Sequence, residues 1–328
     1  MISIAVIGAG RIGQIHASNL QQNPNADLQY IVDVSDVAAS ELAARCNAQT
    51  ASIEAVFKNP SVQAVVIASS TDTHAALIAE AARAGKAIFC EKPLDLDVAT
   101  AAESLTVVEE HQVPLCLGFN RRHDPSFDRL KQEVLNGNLG DVEVVSITSR
   151  DPAPPPAEYI AHSGGLFKDM MIHDFDMGRW LLGEEPVEVF ASGSVLVDDD
   201  IGKAGDIDTA VAVLRTASGR FCQITNSRRC SYGYDQRIEV FGSEGMARAS
   251  NQRETHVETA GESGFNRDKA LPFFLERYAA AYRIQLDRFL RMLSGEDIDL
   301  PSGDDGLRAL QIATAAQMSM QQGSPVVL

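Results

Sequence analysis

Long apolar runs and basic charge are both scarce in this sequence. No stretch reaches the roughly 20 apolar residues that a membrane-spanning helix needs. Only 28 Lys and Arg stand against 45 Asp and Glu, which gives a formal net charge of -17. Such a surface repels nucleic acid and anionic membranes, so we expect neither as a partner. Because Met1 leads directly into an apolar strand pattern without a signal peptide, we expect a soluble, cytoplasmic protein.

Cysteine is also sparse and irregularly placed. The five cysteines, at positions 46, 90, 116, 222 and 230, are odd in number and show no Cys-x-x-Cys spacing. This pattern argues against a disulfide framework and against a zinc knot. The acidic run Asp198-Asp199-Asp200 is interpreted as a solvated turn. The sequence therefore predicts no metal site.

A glycine-rich turn near the start of the chain is the most informative motif. Gly8-Ala9-Gly10-Arg11-Ile12-Gly13 follows a short apolar run and precedes a helical pattern. Gly8 permits a sharp strand-to-helix turn, Gly10 lets the backbone approach a pyrophosphate, and Gly13 lets the helix pack close to the sheet. The N-terminal amide groups of that helix would face the phosphates. The whole motif is therefore predicted to bind a dinucleotide.

An acidic residue completes this nucleotide-binding pattern. Asp33 stands twenty residues past Gly13, at the end of the second apolar run. A carboxylate there accepts hydrogen bonds from ribose hydroxyls and repels a 2′-phosphate, which favours NAD over NADP. The Arg11 guanidinium could instead contact a 2′-phosphate, so NADP is the alternative cofactor.

The first 119 residues follow one repeating pattern. Short continuous apolar runs alternate with alanine-rich helical segments, which predicts a doubly wound parallel sheet, an α/β Rossmann domain. The predicted strands are 2–8, 28–34, 64–69, 86–91 and 114–119. Ligands of such sheets lie at the carboxyl ends of the strands. The residues there that we predict to join the glycine turn in cofactor binding are Ser69, Ser70, Thr71, His74, Glu91 and Lys92.

After Asn120 the hydrophobic period changes to two. The runs 142–150, 187–197, 208–216, 220–227 and 236–242 predict a large, open, mainly antiparallel sheet with helices on one face, followed by helices over 271–293 and 304–321. We therefore divide the chain into an NAD-binding domain, 1–119, and an α+β domain that binds substrate, 120–328.

Lys92 is the first candidate for chemistry. It follows a buried strand, between Glu91 and Pro93, where the nicotinamide of a dinucleotide would lie. An ammonium group at that place would lower the pKa of a substrate hydroxyl and stabilise a developing alkoxide. The alternative is that Lys92 is a solvent-exposed lysine at a strand end, without a role in catalysis.

A second constellation lies on a predicted helix that ends at Gly183. With about 100° between successive residues, Asp169, His173 and Asp176 fall on one face. An acid four residues before a histidine can fix its tautomer and leave the other ring nitrogen to act as a base. A satisfied structural histidine and a metal site are the alternatives. Zinc sites usually draw on more His and Cys.

Two further segments are candidate substrate contacts. Asn120 and Arg121 follow the last strand of the nucleotide sheet, and Tyr234 lies in Ser231-Tyr232-Gly233-Tyr234-Asp235, after a strand of the second domain. Amide, guanidinium and phenol groups suit a polyol. Spacing alone leaves a plain structural turn equally open at both places.

Together these motifs resemble the inositol 2-dehydrogenase branch of the glucose-fructose oxidoreductase-like (Gfo/Idh/MocA) family, over nearly the whole chain. The resemblance rests on Gly8-Ala9-Gly10-Arg11-Ile12-Gly13-Gln14-Ile15-His16, Thr71-Asp72-Thr73-His74, Glu91-Lys92-Pro93, Gly118-Phe119-Asn120-Arg121-Arg122, Ser149-Arg150-Asp151-Pro152, the Asp169 to Trp180 helix, and Tyr232-Gly233-Tyr234-Asp235-Gln236-Arg237-Ile238-Glu239.

The resemblance implies a catalytic set of Lys92, Asp169 and His173. In that set His173 is the base, Asp169 is its orienting partner, and hydride passes to the nicotinamide. It also implies substrate contacts from Arg121, Asp176 and Tyr234, with Asp151 or His162 as loop contributors. A cis Lys92–Pro93 bond and a homotetramer formed through the second domain's sheet are common in the family.

The resemblance implies NAD-dependent oxidation of myo-inositol at its 2-hydroxyl to 2-keto-myo-inositol (scyllo-inosose). The alternatives within the same class are scyllo-inositol, chiro-inositol or a pyranose sugar as substrate. A non-catalytic dinucleotide-binding sensor is the alternative from a different class. A third option uses bound NAD for transient oxidation within a glycoside cleavage or an epimerisation.

Overall fold

The computed structural model describes residues 1–262 and 264–328, in two compact units. The first unit comprises Met1–His123 and Ala281–Leu310. The second comprises Asp124–Ala280 and Gln311–Leu328. Among the described residues, every helix is too short or too polar to span a bilayer.

The first unit contains a six-stranded parallel sheet. Its strands are β1 Ile2–Ile7, β2 Ala26–Val32, β3 Gln49–Thr50, β4 Ala64–Ile67, β5 Ala87–Cys90 and β6 Leu115–Leu117. Its helices over the first 123 residues are α1 Arg11–Gln22, α2 Asp36–Cys46, α3 Ile53–Lys58, α4 His74–Arg83 and α5 Val98–His111. The strand order β3-β2-β1-β4-β5-β6 reverses direction after β1, as in a doubly wound fold. The predicted Rossmann architecture is confirmed.

The apolar composition of these strands explains the fold. Ile4, Val66 and Phe89, on three adjacent strands, are fully buried. A parallel strand covered by helices on both faces needs apolar residues at successive positions, which is the pattern that the sequence shows.

The second unit is built on a seven-stranded sheet of order β12-β11-β7-β10-β9-β8-β15. The β7–β10 pair is parallel and the other neighbours are antiparallel, so the predicted mainly antiparallel sheet is confirmed. The remaining elements of the chain are α6 Pro125–Leu135, β7 Val142–Arg150, α7 Ala157–Ser163, α8 Ile172–Leu182, β8 Pro186–Ser194, α9 Asp199–Lys203, β9 Thr209–Thr216, β10 Phe221–Ser227, β11 Asp235–Gly242, β12 Gly245–Ala249, β13 Glu258–Gly261, β14 Gly264–Arg267, α10 Phe274–Arg277, α11 Ala279–Leu293, α12 Gly303–Gln322 and β15 Val326–Val327.

Helix α11 packs with the first unit, although it follows most of the second unit in sequence. Leu286, Phe289 and Leu290 belong to the apolar cluster that surrounds the parallel sheet. The Phe289 ring lies 5.7 Å from the Phe89 ring, edge to face. The compact units therefore divide the chain differently from the boundary drawn at residue 120 by sequence pattern. The division of functions at that boundary stays a prediction.

Some local elements differ from the sequence predictions. The helix expected over 271–293 is two helices, α10 and α11, with Tyr278 buried at the break. Strands β12 to β15 were not predicted, because they are short and mostly half-buried or exposed and so lack an apolar period. Asp198 caps the short helix α9 by accepting from the Asp200 amide, where a plain turn was expected.

Candidate active site

The glycine turn has the geometry of a dinucleotide cradle. Gly8 has a φ of 109°, and a Cβ atom there would lie 2.4 Å from the Ala68 carbonyl oxygen. A Cβ atom on Gly13 would lie 1.9 Å from the Gly8 oxygen. At Gly10, by contrast, a Cβ atom would meet nothing within 4 Å. Two glycines are thus required by packing, and the third borders open space into which a pyrophosphate fits.

Asp33 is held beside this turn by backbone amides. Its Oδ2 accepts from the Ala9 amide at 2.6 Å, and its Oδ1 accepts from the Ser35 amide at 2.8 Å. These bonds fix a carboxylate at the end of β2, next to the end of β1. The contact of Asp33 with the adenosine ribose stays a prediction.

The ends of β4 and β5 carry the other residues predicted to bind the cofactor. Ser69 and Thr73 share a hydroxyl–hydroxyl hydrogen bond of 2.6 Å. Thr73 ends the 3₁₀ turn Thr71–Thr73. Ser70, just before this turn, is exposed, and Thr71, its first residue, is half-buried. Because the Gly8 position lies against Ala68 and Ser69, the carboxyl ends of β1 and β4 meet at one edge of the sheet.

Two predicted cofactor residues of this edge have buried side chains that contact the protein itself. His74 Nδ1 lies 2.7 Å from the Pro93 carbonyl oxygen, and Nε2 lies 3.2 Å from the Ser69 oxygen. Glu91 Oε1 lies 2.7 Å from Nε2 of His16 on α1. Burial lowers the pKa of His74, and this effect exceeds the opposing effect of its backbone hydrogen bonds. His16 was not singled out as a functional residue from sequence, although it lies in the glycine motif.

Lys92 follows Glu91 and precedes Pro93, whose carbonyl oxygen contacts His74. It is half-buried, and the Lys92–Pro93 peptide bond is cis, as the resemblance implied. Asn120 and Arg121 follow β6 in a short 3₁₀ helix, and both are buried within the first unit.

In the second unit, Asp169 lies in a π-helix. Residues Phe167–Met171 form this π-helix directly before α8. Its hydrogen bonds join residues five apart, so the 100° spacing used to place Asp169 on the face of His173 does not apply there. The α-helical spacing holds from Ile172, which covers His173 and Asp176. Such widened turns frequently occur at functional sites.

Asp169 contacts two residues that the sequence did not indicate. The Tyr159 hydroxyl of α7 donates to Oδ1 at 2.9 Å, and Nη2 of Arg228 lies 3.6 Å from Oδ2. Arg228 is buried and also lies 3.7 Å from Asp206. Burial and the nearby Asp169 carboxylate raise the pKa of Tyr159. A buried guanidinium requires counter-charges, and Asp169 and Asp206 provide them for Arg228.

The residue after His173 anchors α8 to the sheet. Asp174 is fully buried and accepts from the Ser149 hydroxyl at 2.6 Å and from the Asn226 amide at 2.8 Å. Ser149 and Asn226 are direct neighbours on β7 and β10. Hydrogen bonds to a buried carboxylate are strong, so this contact fixes the rotation of the helix that carries His173.

The remaining predicted substrate residues belong to or adjoin three different elements of the second unit. Asp176 is fully buried, 4.0 Å from Nη1 of Arg179. Tyr234 is buried, and its ring packs edge-on against Tyr278 at 6.0 Å. Asp151 follows β7, and its amide donates to the Ser227 oxygen at 2.9 Å.

Within each unit, then, the structure assembles part of the predicted site. In the first unit it brings the nucleotide turn, Asp33 and the Lys92 segment to one end of the parallel sheet. In the second it brings Asp169 and His173 onto one continuous helical segment, with Arg228 beside Asp169. Among residues 1–262 and 264–328, no three His, Cys, Asp or Glu side chains are grouped so that they could hold a metal ion.

Comparison with known proteins covers both parts of the chain. Residues 2–119 match the model of an oxidoreductase family's NAD-binding Rossmann fold, and residues 131–328 match that of its C-terminal alpha/beta domain. An inositol 2-dehydrogenase from Rhizobium meliloti is 47% identical over 98% of this chain and 97% of its own length. A myo-inositol 2-dehydrogenase from Thermotoga maritima is 48% identical over 99% of this chain and 98% of its own.

A solved structure of an inositol dehydrogenase also matches the whole chain, at lower sequence identity. The scyllo-inositol dehydrogenase of Lactobacillus casei, with bound NAD(H) and scyllo-inositol, superposes with a TM-score of 0.92 at 30% identity. The match covers 100% of this chain and 99% of that one.

Proposed function

Because the chain belongs to the Gfo/Idh/MocA oxidoreductase family over both of its domains, we propose that it is an NAD-dependent inositol 2-dehydrogenase. The proposed reaction is oxidation of myo-inositol at its 2-hydroxyl to 2-keto-myo-inositol. The observation that carries this proposal is full-length identity of 47% and 48% to two dehydrogenases named for inositol. The glycine turn and Asp33 supply a site that fits the dinucleotide.

The proposed chemistry uses NAD and the side chains of Lys92, Asp169 and His173. NAD, when bound, accepts the hydride from the carbon that bears the reacting hydroxyl. His173 takes the hydroxyl proton as general base, and Asp169, which lies beside Arg228, orients that imidazole. The Lys92 ammonium stabilises negative charge on the oxygen as the proton leaves.

The predicted substrate contacts suit a neutral polyhydroxylated ring. They include amide, carboxylate and phenol groups and one guanidinium, without a cluster of cations that would select a phosphate or a carboxylate. A rigid ring also loses less conformational entropy on binding than an open-chain polyol does. The proposed contacts beyond the catalytic set are Asn120, Arg121, Asp151, Asp176 and Tyr234.

The direct test is NADH formation by the purified enzyme over a panel of substrates. We expect the highest kcat/KM for myo-inositol and much lower values for sorbitol, lactate and glucose 6-phosphate. A higher kcat/KM for scyllo-inositol, chiro-inositol or a pyranose would show that the enzyme is a dehydrogenase with that compound as its substrate. NAD binding without NADH formation on any substrate would instead indicate a sensor, or an enzyme in which NAD is only transiently reduced.

Asp33 is expected to set the choice of cofactor. Asp33→Ala removes the carboxylate that would bind the ribose and repel a 2′-phosphate, so the KM for NAD should rise and the preference over NADP should narrow. Steady-state kinetics with both cofactors measures this. Asp36→Ala, three residues on in the first turn of α2, is the matched control and should leave the ratio unchanged. Equal use of NAD and NADP by the wild type would contradict the role of Asp33.

A homotetramer in a cytoplasmic location forms the last part of this proposal. The outer face of the second unit's sheet carries an apolar row in which Met246, Phe241, Val144 and Phe221 are successive cross-strand neighbours on four strands. Three of them, Met246, Phe241 and Phe221, are exposed large side chains. Exposed apolar patches of this kind mark association surfaces, and a second copy of this chain is the occupant that the family resemblance implies.

Charge placed in this row should weaken the assembly. We expect Phe221→Asp together with Phe241→Asp to reduce the mass measured by light scattering from that of four chains to that of a smaller species. Leu135→Asp, an exposed apolar position outside the sheet, is the control and should leave the mass unchanged. A wild-type mass of one chain at micromolar concentration would exclude the tetramer.

A further inference from the structure

Lys92 is flanked in sequence by two residues that buried histidines hold in place. Glu91, on its N-terminal side, contacts His16 of α1 through its carboxylate. Pro93, on its C-terminal side, contacts His74 of α4 through its carbonyl oxygen. Both histidines are almost inaccessible to solvent, with exposures of 0% for His16 and 1% for His74. Each of the two residues next to Lys92 in sequence is therefore held by a hydrogen bond from a buried histidine side chain.

The His16 contact is made by one ring nitrogen only. Nε2 lies 2.7 Å from Glu91 Oε1, while Nδ1 has no hydrogen-bond partner in the described part of the chain. The ring is packed edge-on against Phe89 at 5.2 Å and Tyr282 at 5.9 Å, which fixes its plane. The Glu91 carboxylate is restrained as well, because it packs directly against the backbone of Gly118. A Cβ atom added at Gly118 would lie only 2.8 Å from this carboxyl group.

The His74 contact joins two chain segments. Nδ1 lies 2.7 Å from the Pro93 oxygen, and Nε2 lies 3.2 Å from the Ser69 oxygen at the end of β4. Burial lowers the pKa of this imidazole, so near neutral pH it carries a single N–H. The shorter contact assigns that proton to Nδ1, which donates to Pro93. Through this bond His74, the first residue of α4, ties the Lys92 segment to the start of that helix.

We propose that His16 and His74 are positioning residues that set the place of the Lys92 ammonium. This inference rests on the proposed function, in which Lys92 stabilises charge on the reacting oxygen. It gives His74 and Glu91 a role within the protein that is distinct from contact with the dinucleotide. The energetic reason is that electrostatic stabilisation depends on preorganised geometry, and a displacement of about 1 Å can cost about 10²-fold in rate.

The two contacts use different ring nitrogens, which gives a crossed test. The side-chain amide nitrogen of asparagine occupies the place of histidine Nδ1, and that of glutamine occupies the place of Nε2. His74→Asn should therefore keep kcat within about tenfold of the wild type, while His74→Gln and His74→Ala lose about 10²-fold. At His16 the order is reversed, with glutamine retaining activity and asparagine and alanine losing it.

Three measurements separate positioning from a general loss of structure. The Kd for NADH and the KM for the polyol should change little in all variants, so that the loss is confined to kcat. The thermal midpoint should not distinguish asparagine from glutamine at either site. His111→Asn and His111→Gln, at an exposed histidine at the end of α5 in the same unit, should behave as the wild type.

A readout independent of turnover decides the inference even if the substrate is wrong. Lysines carrying isotope-labelled methyl groups are observed by NMR, with the Lys92 resonance assigned by its loss in Lys92→Arg. We expect this resonance to move in His74→Gln and His16→Asn and to stay in place in His74→Asn and His16→Gln. Equal effects of asparagine and glutamine at each site, or an unmoved resonance throughout, would overturn the inference. A wild type that forms no NADH would refute only the proposed function.

Discussion

Replacing His173 with alanine is expected to lower kcat by about 10²- to 10⁴-fold, which is the usual contribution of a positioned general base. NADH binding should persist, because the glycine turn and the Asp33 carboxylate remain in place. Stopped-flow measurement of the hydride-transfer step together with NADH titration tests both points. His256→Ala, an exposed histidine of the same unit, is the matched control and should leave kcat unchanged. Near wild-type turnover by His173→Ala at neutral pH would remove His173 from the mechanism.

The same assignment predicts how the wild type responds to pH. A histidine accepts a proton only in its neutral form, so oxidation should accelerate as the pH rises from mildly acidic values. The residual activity of His173→Ala should lose this dependence. A flat wild-type profile between about pH 6 and 9, with hydride transfer shown to limit the rate, would point to another base.

Lys92→Ala is expected to cause the second large loss, about 10²- to 10³-fold in kcat, as for removal of one donor from a developing oxyanion. The KM for NAD should change much less, since the loss affects a charge that forms only during the reaction. Lys58→Ala is the control, because that ammonium is exposed and pairs only with Glu54 among the contacts described. If Lys92→Ala lowered NADH affinity and kcat in equal proportion, Lys92 would be a cofactor ligand and its electrostatic role would be refuted.

Local sequence pattern was enough to predict the parallel sheet and the nucleotide turn. The predicted strands of the first unit follow short, mostly apolar runs, whereas the two-residue strand β3 is polar and was not predicted. Gly8 and Gly13 of the turn have steric reasons, and Gly10 borders open space. Asp33 was found by its distance from Gly13, because the length of one strand–helix–strand unit fixes that distance. Both signals lie within 33 residues, where chain connectivity leaves few arrangements.

The partners of the candidate catalytic residues were not predictable in the same way. Arg228 meets Asp169 across 59 positions and His16 meets Glu91 across 75, and no period or spacing marks such pairs. The π-helix before α8 was missed because an α-helical period was applied to Asp169, while its extra residue per turn leaves no sign in composition. Sequence reasoning thus identified the chemical groups, whereas the contacts that orient them depend on tertiary packing.

The return of α11 to the first unit also determines when that unit is completed during synthesis. The apolar cluster around β1 and β5 includes Leu286, Phe289 and Leu290, which the ribosome adds only after residues 124–280. At 5–20 residues per second, that intervening segment takes roughly 8–30 s to make. Throughout this interval the nascent nucleotide-binding sheet lacks part of its apolar cover and is open to aggregation or to a chaperone. The half of the protein that emerges first is therefore among the last to reach its final structure, and a fragment that ends at His123 would keep that surface exposed permanently.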